Sequence, residues 1–184
     1  MDFKFSEEEE LFKRSTHEFF QKNVAPRWVE IDEKRWVPIE LIKDMAKQGL
    51  IGTVISEEYG GPGGTAVMAT IAVEEAGYAE PSVSLAPLML VNNAWTFMLQ
   101  TYGTEEAKQE LLPKITSGDA LYCAASTESQ GGSDVGGFRT LTVTRKDGGT
   151  WVLNGEKVLI TLMDHMDQLP WGGYFLIARS GPLE

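Results

Sequence analysis

Near residue 120 the spacing of the apolar residues changes from one period to another. Before that point they recur at intervals of three and four, which marks one face of a helix. Beyond it they come in short runs broken by turn residues, as strands require. At 184 residues the chain is long enough for one good-sized unit or two small ones. The predicted fold class is α+β: an all-α helical unit over residues 1–119, followed by an antiparallel β unit over 120–184 that reads as incomplete.

Within the first part, Ser6 with Glu9 three positions on is a capping-box pattern, and Leu11, Phe12, Phe19 and Phe20 then fall on one face. Pro26 ends that helix. A second helix opens at Pro38, carries the stripe Leu41, Ile42, Met45 and Ala46, and closes at Gly49. The breaker-rich run from Glu57 to Gly64 is a loop. A third helix covers Thr65 to Ala76, closed by Gly77. Ser82 to Tyr102 is a long helix, apolar nearly all round and so buried on most sides; Pro87 inside it either kinks it or moves its start later. Thr104 caps a short helix over Glu105 to Leu112 that Pro113 stops.

From Leu121 onward, strands are predicted at Leu141 to Arg145, Trp151 to Leu153, Lys157 to Thr161 and Tyr174 to Ala178. Turns fall at Lys146 to Gly149 and at Asn154-Gly155, the latter a strong hairpin signal. So few strands need something to pack against, and their open edge invites a partner.

Between the two parts lies the run Tyr122 to Gly137, which passes from small residues into glycines and hydroxyls ending in Gly131-Gly132-Ser133-Asp134. Bare backbone can approach a ligand closely and turn several N–H groups onto an anion, and Ser126, Thr127 and Ser133 add short donors. That suits a phosphate-bearing or flat heteroaromatic ligand. On these residues alone an ordinary surface loop fits equally well.

The formal charge of −11 argues against nucleic acid and against anionic membrane surfaces, since both call for a basic face. Cys123 is the only cysteine, so no intrachain disulfide forms. His17 and His165 are too few for a metal site and read as surface or packing residues. No apolar run reaches membrane-spanning length, and the acidic Glu7 to Glu10 region lacks a signal pattern, so a soluble, cytoplasmic protein is expected.

Taken in order, the segments resemble the acyl-CoA dehydrogenase family of flavoenzymes. The matching pieces are Gly49 to Gly52, Ile55 to Gly61, Glu74 to Gly77, Tyr102 to Glu106, Leu112 to Lys114, Ser126 to Val135, Asn154 to Lys157 and Ile160-Thr161. The resemblance implies an N-terminal helical domain, a middle β domain and a C-terminal four-helix domain, of which the second is expected to be cut partway and the third absent here. It implies FAD as cofactor and α,β-desaturation of an acyl-CoA to the trans-2-enoyl-CoA. It implies an electron-transfer flavoprotein as acceptor and a homo-oligomer at full length.

By that resemblance Thr127 meets the pyrimidine edge of the flavin, with backbone contacts to the ring at Ser126. Gly132 and Ser133 lie by the FAD pyrophosphate and the substrate's pantetheine arm, and Thr161 lies by N5 and O4. Leu85, Ala86 and Met89 are candidate acyl-pocket residues, although an apolar stripe of this kind is more often core. The family's catalytic carboxylate is expected beyond Glu184, so the isolated chain is expected to turn over no acyl-CoA and to hold FAD weakly at best.

Departures from the pattern fall at Leu159, where the family usually has an aromatic, at Leu162-Met163 in place of Asn-Gly, and at Ser129 in place of proline. Trp171 is a candidate to swing back and replace the missing aromatic. Two rival readings are an oxygen-using fold relative and a non-catalytic subunit that pairs its open edge with a partner.

Overall fold

The computed structural model describes residues 4–139, 142–146 and 149–180. Helix α1 (Glu7–Asn23) starts with the full capping box: the Ser6 hydroxyl accepts the Glu9 N–H at 3.2 Å, and the Glu9 carboxylate accepts the Ser6 N–H at 2.8 Å. Pro26 ends that helix as expected, in a 3-10 turn over Ala25–Arg27. A short helix that the sequence reading missed follows, α2 (Trp28–Lys34), capped by Arg35 in the left-handed region. Helix α3 (Ile39–Lys47) opens at Pro38, buries Leu41, Ile42, Met45 and Ala46, and closes at Gly49 with φ 69°.

Helix α4 (Ala66–Ala79) is capped by the Thr65 hydroxyl and runs straight through Gly77. The predicted stop at Gly77 is therefore wrong. A mid-helix glycine costs only about 1 kcal/mol, and continuing the helix buries Ala79 beside Ala76. Helix α5 (Leu85–Tyr102) starts late enough that Pro87 falls in its first turn, where no N–H is needed, so it causes no break there. Its start is capped by Glu80, a fully buried carboxylate that accepts the N–H groups of Ser84 and Leu85 at 2.6 and 2.9 Å.

Helix α6 (Glu105–Thr116), capped by Thr104, contains Pro113 instead of stopping at it. Burial of Leu112 and Ile115 on either side offsets the lost hydrogen bond.

The chain then forms β1 (Ala120–Ala125), β2 (Thr142–Arg145), β3 (Trp151–Asn154), a short helix α7 (Met163–Met166) and β4 (Trp171–Leu176). The α+β class stands as read, but the pairing is mixed. Strands β2 and β3 are antiparallel, whereas β1 and β4 pair in parallel, Ala120 opposite Trp171 and Ala125 opposite Leu176. The predicted strand over Lys157 to Thr161 is absent. Leu159 and Leu162 adopt left-handed φ of 57° and 72°, which breaks the alternation a ladder needs. The Asn154-Gly155 hairpin fails with it. Leu141 and Asp147-Gly148, assigned above to a strand and a turn, lie outside the described residues.

One core joins the parts. Phe20, Ile42, Met45, Leu50, Ile55, Leu88 and Leu112 form its centre, and Ala120 and Leu121 of β1 complete it. Asn92 on α5 accepts the Tyr122 N–H at 3.0 Å, and Trp95 stacks on Phe175 of β4 with centroids 4.1 Å apart. Among the described residues, no helix is long and apolar enough to cross a membrane.

Candidate functional site

The loop after β1 owes its shape to a buried ion pair that no local sequence pattern announces. Glu128 turns back on Gly131 through two backbone hydrogen bonds of 3.1 Å, and its side chain points inward. There it meets Lys157 at 2.9 Å, with both side chains almost fully withdrawn from water. The Lys157 ammonium also donates to the Ser126 carbonyl at 2.8 Å and lies 4.1 Å from the centre of the Phe138 ring. The second Glu128 oxygen accepts from Gln130 and, at 2.7 Å, from the Arg139 N–H. One pair thus fastens both ends of the 126–139 loop, and its many partners offset the desolvation of the two charges.

A second tie runs alongside. Val158 donates its N–H to the Thr127 carbonyl at 2.9 Å, so the 157–161 segment lies beside 126–128 without a strand ladder. Further round the loop, Asp134 caps a 3-10 turn by accepting the Gly137 N–H at 3.0 Å. A Cβ on Gly132 would come within 3.3 Å of the Thr127 hydroxyl, tighter than most real contacts, whereas one on Gly131 would meet nothing within 4 Å. Of the two glycines, Gly132 is the one where a side chain would press on Thr127. Gly132 and Ser133 are exposed; Ser126 and Thr127 are half-buried.

Thr161 stands on a cleft of about 440 Å³ where the β part meets the helical part. Its far wall is the α2–α3 connection with Arg35, Trp36 and Val37, together with Ser84 at the start of α5; Thr161, Leu162 and His165 form the near wall. Ile160 lines both this cleft and a neighbouring groove of about 420 Å³ that includes Ala125, Lys157 and Leu176.

Ser126, Thr127 and Gly132 are therefore gathered in one loop, and Thr161 is tied to that loop through Val158. Leu85 and Met89 lie in the core with no exposed surface, and Ala86 is half-buried. Leu159 is 88% exposed. Trp171 does not swing back: it opens β4 opposite Ala120, and the Lys114 ammonium sits 3.3 Å from its ring centre. Cys123 is buried, which pushes its thiol up to about 11 and leaves it unreactive at neutral pH.

Residues 6–119 match the model of the acyl-CoA dehydrogenase N-terminal domain, and residues 123–178 match that of the acyl-CoA dehydrogenase middle domain. The chain is 38% identical over 160 residues to the long-chain specific acyl-CoA dehydrogenase of Sus scrofa mitochondria, covering 85% of this chain and 36% of that protein. It is 36% identical to the probable acyl-CoA dehydrogenase YngJ of Bacillus subtilis, with coverage of 88% and 42%. Among solved structures, a glutaryl-CoA dehydrogenase from Mycobacterium smegmatis in complex with FADH2 superposes with a TM-score of 0.80 at 29% identity, covering 89% of this chain and 41% of that one. The chain thus spans about two-fifths of the length of the relatives it matches. The domain models, the relatives and the shared fold agree: this chain belongs to the acyl-CoA dehydrogenase family.

Proposed function

We propose that this chain supplies the flavin-facing part of a FAD-dependent acyl-CoA dehydrogenase, an oxidoreductase that desaturates an acyl-CoA thioester to the trans-2-enoyl-CoA. The observation that carries this reading is the lashing of the Ser126–Ser133 loop to the 157–161 segment, whose Ile160 and Thr161 line the cleft. FAD fits the donor set. Short hydroxyls at Ser126, Thr127 and Ser133 surround a backbone that stays bare at Gly132, where a side chain would crowd Thr127.

In this reading Ser126 and Thr127 hold the polar edge of the ring, Gly132 and Ser133 hold the pyrophosphate and the pantetheine arm, and Thr161 orients the N5 and O4 edge. When bound, FAD supplies the hydride acceptor. The chain's own part is to fix the ring's orientation and to aim hydrogen-bond donors where charge develops. Ala86, Leu85 and Met89 are assigned to the acyl side; the two larger residues serve there only if the packing of α5 opens.

The proton-abstracting carboxylate is assigned to residues outside this chain. Glu128, the buried carboxylate of the loop, is held by Lys157 and is unsuited to removing a proton. The proposal includes a helical unit over 1–119, a middle unit over 120–184, a cytoplasmic location, an electron-transfer flavoprotein as acceptor and a homo-oligomer for the full-length enzyme.

Titration of FAD and an acyl-CoA into the isolated chain tests this. Weak, saturable FAD retention that Gly132→Val abolishes while helicity is unchanged supports the cradle. Rapid flavin bleaching by this chain alone would refute the assignment of the base elsewhere.

A further inference from the structure

Thr161 sits in a segment that has no strand ladder to hold it, between two leucines in the left-handed region, each an unfavourable backbone state by about 1–2 kcal/mol. Something must hold that segment in place. Upstream it is tied by Val158 to Thr127. Downstream, the N–H groups of His165 and Met166 close on the Leu162 carbonyl at 3.1 and 3.2 Å and form the α7 turn. Leu162 and Met166 pack the turn against the core, and one imidazole adds its directional contact with the helical part.

His165 is 7% exposed. Its ring stacks on Trp36 with centroids 4.0 Å apart and planes 10° from parallel. Its Nε2 lies 3.1 Å from both the N–H and the carbonyl of Val37, 128 residues away in sequence. Either neutral tautomer makes one bond there: Nε2 accepts the N–H, or Nε2–H donates to the carbonyl. The charged groups around it are Asp164 on its own turn and Asp32 and Arg35 from the end of α2, all on the same cleft.

We propose that His165 is a positioning residue for the candidate flavin site, setting through Trp36 and Val37 where Thr161 stands on the cleft. This rests on the flavin reading above for its functional meaning, but the latch itself is a property of this chain. A ring that only filled space would not need an in-plane partner at Nε2. A ring that only made the hydrogen bond would not need to lie flat on an indole. Having both contacts fixes the orientation of α7, and hence of the residues immediately before it.

Amide exchange measured by NMR on the full 184-residue chain tests this. His165→Ala is expected to speed exchange of residues 158–163 about tenfold or more while the α3–α6 amides keep their protection, and His165→Gln, which retains a group able to bond Val37, recovers part of the loss. An equal rise throughout the chain, or none at 158–163, overturns the latch. FAD titration of the same variants, read by visible circular dichroism of the bound flavin, separates the two ideas. Local loosening with weaker FAD retention and an altered flavin signal supports the positioning role. Local loosening with both unchanged leaves the latch standing and removes its role at the flavin.

Discussion

In the helical part Phe20, Ile42, Met45, Leu50, Leu88 and Leu112 are wholly withdrawn from water, whereas the β2–β3 ribbon leaves Trp151 and Leu153 more than half exposed. Beyond the share of the core that Ala120, Leu121 and Leu169 supply, the β part is positioned by a short set of directional contacts: Glu128 with Lys157, Asn92 with the Tyr122 N–H, Trp95 on Phe175 and His165 on Trp36. Apolar burial has no preferred direction and spreads its effect over many neighbours. Polar and stacked contacts have a direction, so a few of them determine where the candidate site sits.

The largest test of this contrast is Lys157→Met. Removing one partner of a buried pair should destabilise by about 3–5 kcal/mol, and adding Glu128→Leu in the same chain should recover most of that. Urea unfolding of the single and double variants measures both. A single-variant loss as small as that of a surface ion pair would contradict the directional account of the β part.

On the other side of the comparison, Leu88→Ala should cost about 2–5 kcal/mol by leaving a cavity. Thermal melts followed by far-UV circular dichroism should show one cooperative transition moved downward, since the core is shared. Asn92→Leu addresses the join between the parts. It leaves the Tyr122 N–H without its acceptor, for an expected loss of about 1–3 kcal/mol and faster amide exchange along β1.

The smallest effect is that of pH. Burial holds the His165 imidazole below its ordinary value of 6.5, so the unfolded chain binds the extra proton more readily than the folded one. Its contribution to stability is complete above 6.5 and declines as pH falls through that value toward the lower folded one. Unfolding of the wild type at pH 7 and pH 5 should show this decline, and His165→Gln should lack that part of it.

Local signals were legible from residues alone. Ser6 with Glu9, Pro38 before α3 and Thr104 before α6 each act within a few positions, and each is where the pattern placed it. Gly77 and Pro113 misled because burial of Ala79 and Ile115 outweighed the local preference to stop. The parallel pairing of β1 with β4 and the loss of the strand at Lys157 to Thr161 depend on contacts far along the chain, which periodicity does not carry. The candidate site was half legible: glycines and hydroxyls marked the loop, and Lys157 appeared in a recognised motif. That its ammonium reaches Glu128, 29 residues back, and that His165 reaches Val37 needed the fold.

Because β1 and β4 lie side by side in the same direction, the chain leaves the sheet after Ala125 and must cross back over its length to rejoin it at Trp171, opposite Ala120 at the far end. Every candidate flavin contact falls within that one excursion. The excursion must therefore span the seam that Asn92 and Trp95 fasten to the helices, and on its way it sets His165 and Leu169 back against the helical part. An engineer could exchange residues 126–170 as a single cassette only if the replacement keeps that span and those two footholds.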